Sequence, residues 1–328
     1  MMAAAVEPPV EEDFRALLAS VLKQPVRSVN VAKRASRAYS NIWMLDVETA
    51  TDRFGVVAKY CRDGVLFKKQ IRFIQAARAA YAGRDDVCIP YLGSCEQSQL
   101  LLMQRVRDPT VQSLCHFSFS RPFRTCTFQH WQRTLQQACV QTGRWLREWH
   151  ESTAEVGPLA PAFETYLSNR EDCLSLLEHD DRRRLLALIQ SLGSETLCVT
   201  HGDFTPQNVL WSPERLTVID FGVGEWERMT PWWDYIWMER SIVSAMRFAV
   251  KSPGWWMPSA SRTATQAFSD GYGKSAGSAR ARLACLAVHH LVLHGSDTRR
   301  NARSYRKRAQ WHKRELQRTL ALAEEAAD

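Results

Sequence analysis

The segment from residue 201 to residue 222 constrains the fold most, because it combines polar residues at fixed spacing with short apolar runs. It reads His201-Gly202-Asp203-Phe204-Thr205-Pro206-Gln207-Asn208 and ends in Asp220-Phe221-Gly222. Its glycine and proline predict a loop that follows a short strand over 197–199. Two apolar runs, 209–211 and 216–219, flank a turn and predict a hairpin. Such a hairpin returns Asp220 to the neighbourhood of Asn208.

These residue types suit one kind of chemistry. The amide oxygen of Asn208 and the carboxylate of Asp220 are hard oxygen ligands, which Mg²⁺ prefers. Phosphoryl transfer from ATP needs such an ion, together with a carboxylate that faces the attacking hydroxyl group, and Asp203 is the candidate for that carboxylate. Gly222 lets the backbone turn sharply past the metal. The alternative is that these are ordinary turn residues, but the full set between apolar strands favours the functional reading.

The segment resembles the catalytic core of the aminoglycoside phosphotransferase family, a branch of the protein-kinase-like fold. Protein kinases carry His-Arg-Asp, then Asn, and later Asp-Phe-Gly. Gly202 stands in place of that arginine, and Asp234 follows Asp220 with no long activation segment between them, as in small-molecule kinases. The resemblance assigns His201 and Asp234 to the support of the catalytic loop.

The resemblance also implies an α+β, bilobal protein-kinase-like fold. A small N-lobe with an antiparallel sheet and a helix would take residues 1–103 and grip the nucleotide. A hinge would take 104–107, and a larger, mainly helical C-lobe would take 108–328. The implied activity is transfer of a phosphoryl group from ATP or GTP, with Mg²⁺, to a hydroxyl group of a small molecule such as an antibiotic, sugar, nucleoside or amino alcohol.

The expected N-lobe shows alternating and helical apolar patterns. We expect strands over 29–31, 42–48, 54–60, 89–93 and 100–103, and helices over 14–22 and 65–81. The loop over 33–41 matches the phosphate-covering loop of kinases but lacks glycine. Some small-molecule kinases use serine and asparagine there, so Ser40 and Asn41 are assigned to nucleotide binding. Its arginines, Arg34 and Arg37, are either solvated or bind phosphate.

A lysine and a glutamine stand at two further kinase-like positions. Lys59 ends a strand that resembles the Val-Ala-Ile-Lys strand of kinases, whose lysine contacts the α- and β-phosphates. The next helix normally supplies a glutamate to that lysine, but residues 64–84 contain no acidic residue, and Gln70 stands there instead. Glutamine accepts a hydrogen bond without neutralising the ammonium. Either Gln70 is a weaker substitute or a carboxylate from elsewhere serves, and a degenerate kinase that only binds nucleotide remains an alternative.

The hinge and the helices after it complete the pattern. Kinase-like hinges bind adenine through backbone groups, which points to Gln104 and Val106. Helices are expected over 128–151, 162–177 and 181–192. His150 closes the first of them and is expected to tie its end to the catalytic loop. Phe268, Gly271 and Tyr272 resemble a helix that ends in a Gly-Tyr turn.

Composition limits the cellular setting. No apolar stretch reaches the length of a membrane span, the first ten residues are not a secretory signal, and the nine cysteines form no CxxC pair. We therefore expect reduced thiols in a cytoplasmic protein.

A protein kinase is a weaker alternative to a small-molecule kinase, since Gly202 replaces the usual arginine.

Charge leaves the acceptor open. The net charge of +8 and nine Lys or Arg residues between 299 and 318 favour an anionic substrate or surface, contacted by a basic C-terminal helix. Glu225, Glu227 and Glu239, near clustered tryptophans, favour instead a cationic acceptor. No nucleic-acid-binding module is recognisable, so we expect no nucleic-acid partner.

Overall fold

The computed structural model describes residues 11–36, 40–117, 125–222, 228–248, 257–273, 277–300 and 303–326. The chain divides into two compact units. The first consists of Met1–Thr110 and Asn208–Val223, and the second of Val111–Gln207 and Gly224–Asp328. The hairpin that follows Asn208 therefore clusters with the N-terminal sheet.

The elements are, in chain order, α1 (Glu11–Leu22), β1 (Val26–Ser36), β2 (Ser40–Thr49), β3 (Arg53–Cys61), α2 (Gly64–Ala80), β4 (Val87–Cys88), β5 (Tyr91–Cys95), β6 (Leu100–Gln104), α3 (Val111–Phe117), α4 (Thr125–Ser152), β7 (Glu155–Pro158), α5 (Ala160–Ser168), α6 (Glu171–Leu174), α7 (His179–Gln190), β8 (Ser194–Val199), β9 (Val209–Trp211), β10 (Leu216–Val218), β11 (Arg228–Met229), α8 (Trp232–Phe248), α9 (Met257–Tyr272), α10 (Ala279–Arg299) and α11 (Arg303–Glu325).

The first unit is built on a five-stranded antiparallel sheet in the order β1-β2-β3-β6-β5. Successive side chains of a strand point to opposite faces. One face packs against α1 and forms the core, with Phe14, Leu18, Trp43, Leu45, Val47, Val56, Ala58, Tyr60, Leu100 and Leu102. The strand residues that alternate with these core residues lie on the opposite face of the sheet. We call it the Lys59 face, and it carries Ile42, Met44, Val57, Lys59 and Met103.

The strands of this sheet are longer than the sequence pattern predicts. β1 runs to Ser36 and β2 begins at Ser40, with Ser36 paired to Asn41. The predicted loop over 33–41 is therefore too long, because most of that range belongs to β1 and β2. Residues 37–39 of the range, which include Arg37, lie outside the described residues. β5 begins at Tyr91 rather than at Ile89, since Pro90 has no N–H to give to a strand ladder. The short strand β4, which pairs with β10, was not predicted.

Two glycines bring helices α4 and α9 of the second unit into close contact. A Cβ atom on Gly143 would lie 2.2 Å from the Phe268 carbonyl oxygen, and one on Gly271 would lie 2.0 Å from that of Val140. Only glycine allows the two backbones to approach this closely. The Gly-Tyr turn recognised in the sequence is therefore a packing site as well as a helix end.

The helix predicted over 162–177 is wrong as a single element, because the structure divides it into α5 and α6. Asn169 follows α5 with a non-helical ψ of 1°. The Arg170 N–H donates to the Leu167 carbonyl, a bond from i to i−3 that closes the last turn. Asparagine is a poor helix former whose side chain competes for backbone hydrogen bonds, which explains the break.

The basic C-terminal segment forms α11, as predicted. Its apolar side packs inward through Ala309, Leu316 and Leu320. Arg308 forms a bidentate ion pair with the buried Asp297 of α10, at 2.8 and 2.6 Å. Part of the positive charge of this helix is therefore neutralised by an ion pair within the second unit.

No disulfide joins the cysteines that the structure describes, and most of those cysteines are buried. Within the described ranges, no helix is long and apolar enough to span a membrane.

Candidate active site

The hairpin of β9 and β10 brings Asn208 and Asp220 together, as the sequence predicts. The Ile219 N–H donates to the Asn208 carbonyl oxygen at 3.0 Å, directly beyond the paired strand residues Val209 and Val218. Asn208 is buried, whereas the side chain of Asp220 is about one-third exposed (33%). The backbones of Asn208 and Asp220 thus lie close together at the open end of the hairpin.

Asp220 has an unusual backbone conformation. Its φ of +61° lies in the left-handed region, which side-chain-bearing residues adopt rarely. Gly222 follows with φ +67°, and a Cβ atom there would lie 2.6 Å from Cδ2 of Phe73. Strained backbone of this kind clusters at functional sites. The requirement for glycine at 222 is therefore steric as well as conformational.

The donor set of the hairpin fits a hard divalent cation. Asn208 and Asp220 offer oxygen ligands, and Mg²⁺ typically takes one or two carboxylates and completes its shell with water and phosphate. Among the residues described, no group of three His, Cys, Asp or Glu could hold a metal ion. The arrangement is thus suited to an ion that a phosphorylated substrate shares, and unsuited to a structural metal held by protein alone.

Lys59 and Asp220 form an ion pair within the first unit. The Lys59 Nζ lies 2.8 Å from the Asp220 Oδ1, and the lysine side chain is only 8% exposed. An ammonium so deeply buried requires a compensating partner. The pair joins β3 to the end of the hairpin, although 161 residues separate the two positions in the chain.

Gln70 does not take the place of the missing glutamate. It is buried on α2, and its Oε1 accepts a long hydrogen bond from the Cys61 thiol, with Sγ at 3.8 Å. Burial is the main cause that raises the pKa of Cys61 to about 11, so this thiol is neutral and can donate. Of the two possibilities that the sequence left open, the structure gives Lys59 a carboxylate from elsewhere, that of Asp220.

Ser40 and Asn41 point to opposite faces of the sheet. Ser40 pairs with Cys61 and so lies on the Lys59 face, where it is buried. Asn41 pairs with Tyr60 and lies on the other face. Its Oδ1 accepts hydrogen bonds from Ser36 Oγ and Arg62 Nη2, both at 3.0 Å. The structure thus places Ser40 beside the lysine and directs the Asn41 amide away from it.

The hinge residues already use part of their backbone. The Gln104 N–H donates to the Pro90 carbonyl at 2.6 Å. Within the described residues, the Val106 N–H makes no backbone hydrogen bond.

Arg105 was missed by sequence reasoning. Its Nη2 lies 2.6 Å from the Asp46 Oδ1, and its N–H donates to the Gly55 carbonyl at 2.8 Å. A Cβ atom on Gly55 would lie 2.4 Å from the Arg105 Nε, so the guanidinium occupies the space above this glycine. The available signal was an isolated glycine inside a strand, which often marks a close approach by another group.

Asp234 holds the predicted catalytic loop in the second unit. Its fully buried carboxylate accepts hydrogen bonds from the backbone N–H groups of His201 at 2.6 Å and Gly202 at 3.1 Å. His150 Nε2 lies 3.4 Å from the same carboxylate, and its Nδ1 lies 2.9 Å from the Tyr272 hydroxyl. These bonds join the end of α4, the start of α8 and the end of α9 to one loop.

Aromatic packing supports the same loop. His201 is fully buried with its ring edge-on to Phe204, which in turn stacks on Trp145 of α4 at 5.4 Å. The Asp203 N–H points to the His201 Nδ1 at 3.4 Å, and the Asp203 residue itself is half-buried. The loop that carries the half-buried Asp203 is therefore fixed through its backbone and its rings.

Several expected acceptor residues lie outside the described residues, namely Glu225, Trp226, Glu227, Trp255 and Trp256. Glu239 is described: it is half-buried on α8, with its Oε2 3.8 Å from the Arg240 Nε. The carboxylate is thus next to a cation of its own helix, which reduces its attraction for a cationic acceptor.

Comparison with known proteins is consistent with this geometry. A family model described as "Phosphotransferase enzyme family" matches residues 48–245, which is more than half of the chain and includes both Lys59 and Asp234. No curated protein matches the chain by sequence.

Solved structures of small-molecule kinases match nearly the whole chain. An amicoumacin kinase in complex with AMP-PNP, Ca²⁺ and Ami has a TM-score of 0.55 at 11% identity, covering 94% of this chain and 93% of that one. The choline kinase LicA from Streptococcus pneumoniae has a TM-score of 0.52 at 13% identity, with 93% and 98% covered. A glucosamine kinase in complex with glucosamine, ADP and inorganic phosphate has a TM-score of 0.51 at 14% identity, with 95% and 100% covered. At such identities the likeness shows the fold, and the predicted α+β kinase-like fold is confirmed.

Proposed function

Because this chain belongs to the phosphotransferase enzyme family, we propose that it transfers the γ-phosphoryl group of ATP to a hydroxyl group of a small molecule. The observation that carries the proposal is the 2.8 Å contact between Lys59 Nζ and Asp220 Oδ1. It unites the two charged groups that this chemistry requires, one for phosphate and one for metal.

The first unit supplies the nucleotide end of the reaction. Lys59 binds the α- and β-phosphates, with Ser40 beside it on the same face of the sheet. The hinge backbone at Gln104 and Val106 takes the purine. The half-buried apolar residues of the Lys59 face lie on the same side of the sheet and suit contact with an aromatic base.

Asn208 and Asp220 would hold Mg²⁺, which supplies neutralisation of the charge between the β- and γ-phosphates. Asp220 also pairs with Lys59, so the carboxylate that would hold the metal lies next to the ammonium assigned to phosphate.

The second unit supplies the acceptor end. Asp203 orients the acceptor hydroxyl and accepts its proton late in the transfer. Asp234 fixes the loop by holding the His201 and Gly202 amides, which keeps Asp203 in a defined position. The position of a reacting group within about an ångström strongly affects the rate, so this support is functionally important.

Charge favours an anionic acceptor or an anionic surface near it. The chain carries a net charge of +8. Along α11, Arg306, Lys307, Arg314 and Arg318 are exposed, whereas Arg308 and Lys313 are engaged in ion pairs. A positive field of this kind attracts anions at long range. We also place the protein in the cytoplasm, in line with the absence of disulfides among the described cysteines.

The second candidate is a degenerate kinase that binds nucleotide without transfer. Gln70 and the glycine-free hairpin between β1 and β2 are the features that favour it. A protein kinase is disfavoured by Gly202 and by the short segment between Asp220 and Asp234.

A screen for ADP or GDP release distinguishes these functions. The enzyme is incubated with Mg-ATP or Mg-GTP and a panel of sugars, sugar phosphates, nucleosides, amino alcohols and aminoglycosides. Release that depends on one acceptor class supports the proposal. Tight nucleotide binding without release on any acceptor favours the degenerate kinase.

A further inference from the structure

A cavity of about 250 Å³ opens in the second unit, where α7, the first turn of α10 and the last turns of α11 meet. Its floor is apolar and includes Leu188, Leu320 and Ala323. Its rim carries three guanidinium groups, those of Arg183, Arg184 and Arg280. None of its lining residues belongs to the candidate active site.

The three arginines of this rim differ in how fully their guanidinium groups are paired with carboxylates. Arg184 forms a bidentate pair with Glu324, with both contacts at 2.7 Å, so these two charges cancel. Arg183 contacts the Asp180 carboxylate at 3.3 Å, and both side chains are largely exposed. Arg280 makes no hydrogen bond or ion pair with any residue that the structure describes. Two permanently charged groups thus border an apolar floor with donor capacity left over.

We propose that this cavity binds a small monoanion with an apolar body, of the class of short aliphatic carboxylates. A guanidinium presents a planar fork of donors that matches a carboxylate, and Arg183 and Arg280 are the groups available for it. The apolar floor formed by Leu188, Leu320 and Ala323 takes the hydrocarbon part. A cavity of about 250 Å³ is smaller than a pocket for a drug-sized ligand and therefore admits only a short chain.

Inorganic phosphate and uncharged ligands fit this cavity less well than a carboxylate with an apolar body. The Glu324 carboxylate also lines the cavity, but its charge is offset by the bidentate pair with Arg184. Phosphate has no hydrocarbon part to place on the apolar floor, and its hydration would be lost there without compensation. An uncharged ligand of the same shape would offer no counter-charge to Arg183 and Arg280.

The test is a titration of the full-length protein with octanoate, followed by saturation-transfer NMR of the octanoate signals. The test variants are Arg280→Gln and Arg183→Gln, which remove one charge each from exposed or half-exposed positions. The matched control is Arg182→Gln, on the same helix, whose guanidinium pairs with Glu171 at 2.9 Å and does not line the cavity. Octanamide and inorganic phosphate serve as control ligands.

We expect octanoate to bind the wild-type protein and the Arg182→Gln variant equally. Binding to Arg280→Gln should weaken by at least about fivefold, since one charge-assisted hydrogen bond is lost. Arg183→Gln should weaken binding in the same direction, and octanamide and phosphate should not compete. Absence of octanoate binding up to about 10 mM (a free energy of roughly 3 kcal/mol), equal binding to Arg280→Gln, or equal binding of octanamide would each overturn the proposal.

Discussion

The Asp234 carboxylate and the His201 backbone N–H form a 2.6 Å hydrogen bond, although 33 residues separate them in the chain. The same carboxylate also accepts from Gly202 and lies close to His150. One fully buried side chain thus organises the loop that carries Asp203. The first prediction follows from this dependence.

Asp234→Asn should lower the free energy of unfolding by about 2–4 kcal/mol, because an amide group has one acceptor oxygen where the carboxylate has two, and its NH₂ would face a backbone donor. Urea denaturation of the full-length protein measures the loss in the free energy of unfolding. The control is Asp270→Asn on α9, an exposed residue that accepts one hydrogen bond from Gln266. It should change the stability by no more than about 0.5 kcal/mol. Equal stability of the two variants would contradict the role assigned to Asp234.

Asp220→Asn should weaken binding of Mg-nucleotide by about tenfold or more, since the metal loses its only proposed carboxylate ligand. Asparagine tolerates the left-handed backbone found at this position, so the fold should be retained. Calorimetric titration with Mg-ATP measures the affinity. The control is Asp86→Asn, which removes an exposed pair with Arg84 in the same unit. An unchanged affinity in Asp220→Asn would refute the metal site.

Gly143→Ala should destabilise the protein by about 2 kcal/mol or more, because the added methyl group would lie 2.2 Å from a backbone oxygen of α9 and overpacking of this kind forces the helices apart. Thermal unfolding measures the effect. Gly193→Ala is the matched control, because a Cβ atom there meets nothing within 4 Å. If both alanine variants melt together, the close approach of α4 and α9 is not as described.

Two buried histidines should make the protein sensitive to acid. His290 Nδ1 and His312 Nδ1 lie 3.0 Å apart, so only one of the two atoms can carry a proton. Burial is the main cause that lowers the pKa of His290 to about 3 and that of His312 to about 4. The unfolded chain, in which histidine has a pKa near 6.5, therefore binds more protons than the folded chain at mildly acidic pH.

The stabilisation from these residues is fully present above about pH 6.5 and falls as the pH is lowered from there toward 4, by about 1.4 kcal/mol per pH unit for each histidine. His290→Asn should reduce the slope of the unfolding free energy against pH by about 1.4 kcal/mol per pH unit, because one fewer proton is taken up on unfolding. The measurement is the free energy of unfolding between pH 4.5 and pH 7 for both proteins. Parallel pH profiles would show that the pair takes up protons in the folded state.

The sequence was most informative where local signals coincide with the fold. The hairpin after Asn208 could be predicted because two apolar runs flank Ser-Pro-Glu-Arg, and its closure fixes the position of Asp220. Asp234 could be recognised because its position, shortly after Asp220 and before an apolar helix, resembles that of the family. In the hairpin, the contact is made by backbone whose path is set by neighbouring residues.

The sequence was least informative where a partner comes from a distant strand or helix. The pairing of Gln70 with Cys61 and of Arg105 with Asp46 depends on which strands lie side by side, and no local pattern reports it. The face occupied by Asn41 depends on a register that only becomes defined once β1 and β2 are known to extend to Ser36 and Ser40. A shift of one residue would have exchanged Ser40 and Asn41.

The central claim is tested most directly by acceptor-dependent ADP release in the wild-type protein and in Asp203→Asn. Asparagine keeps the shape of the side chain but cannot accept the proton of the hydroxyl, so turnover should fall by at least about a hundredfold. Binding of Mg-ATP should stay within about twofold of wild type, since Asp203 is assigned to the acceptor and not to the nucleotide. Turnover in Asp203→Asn equal to that of the wild type would contradict the account.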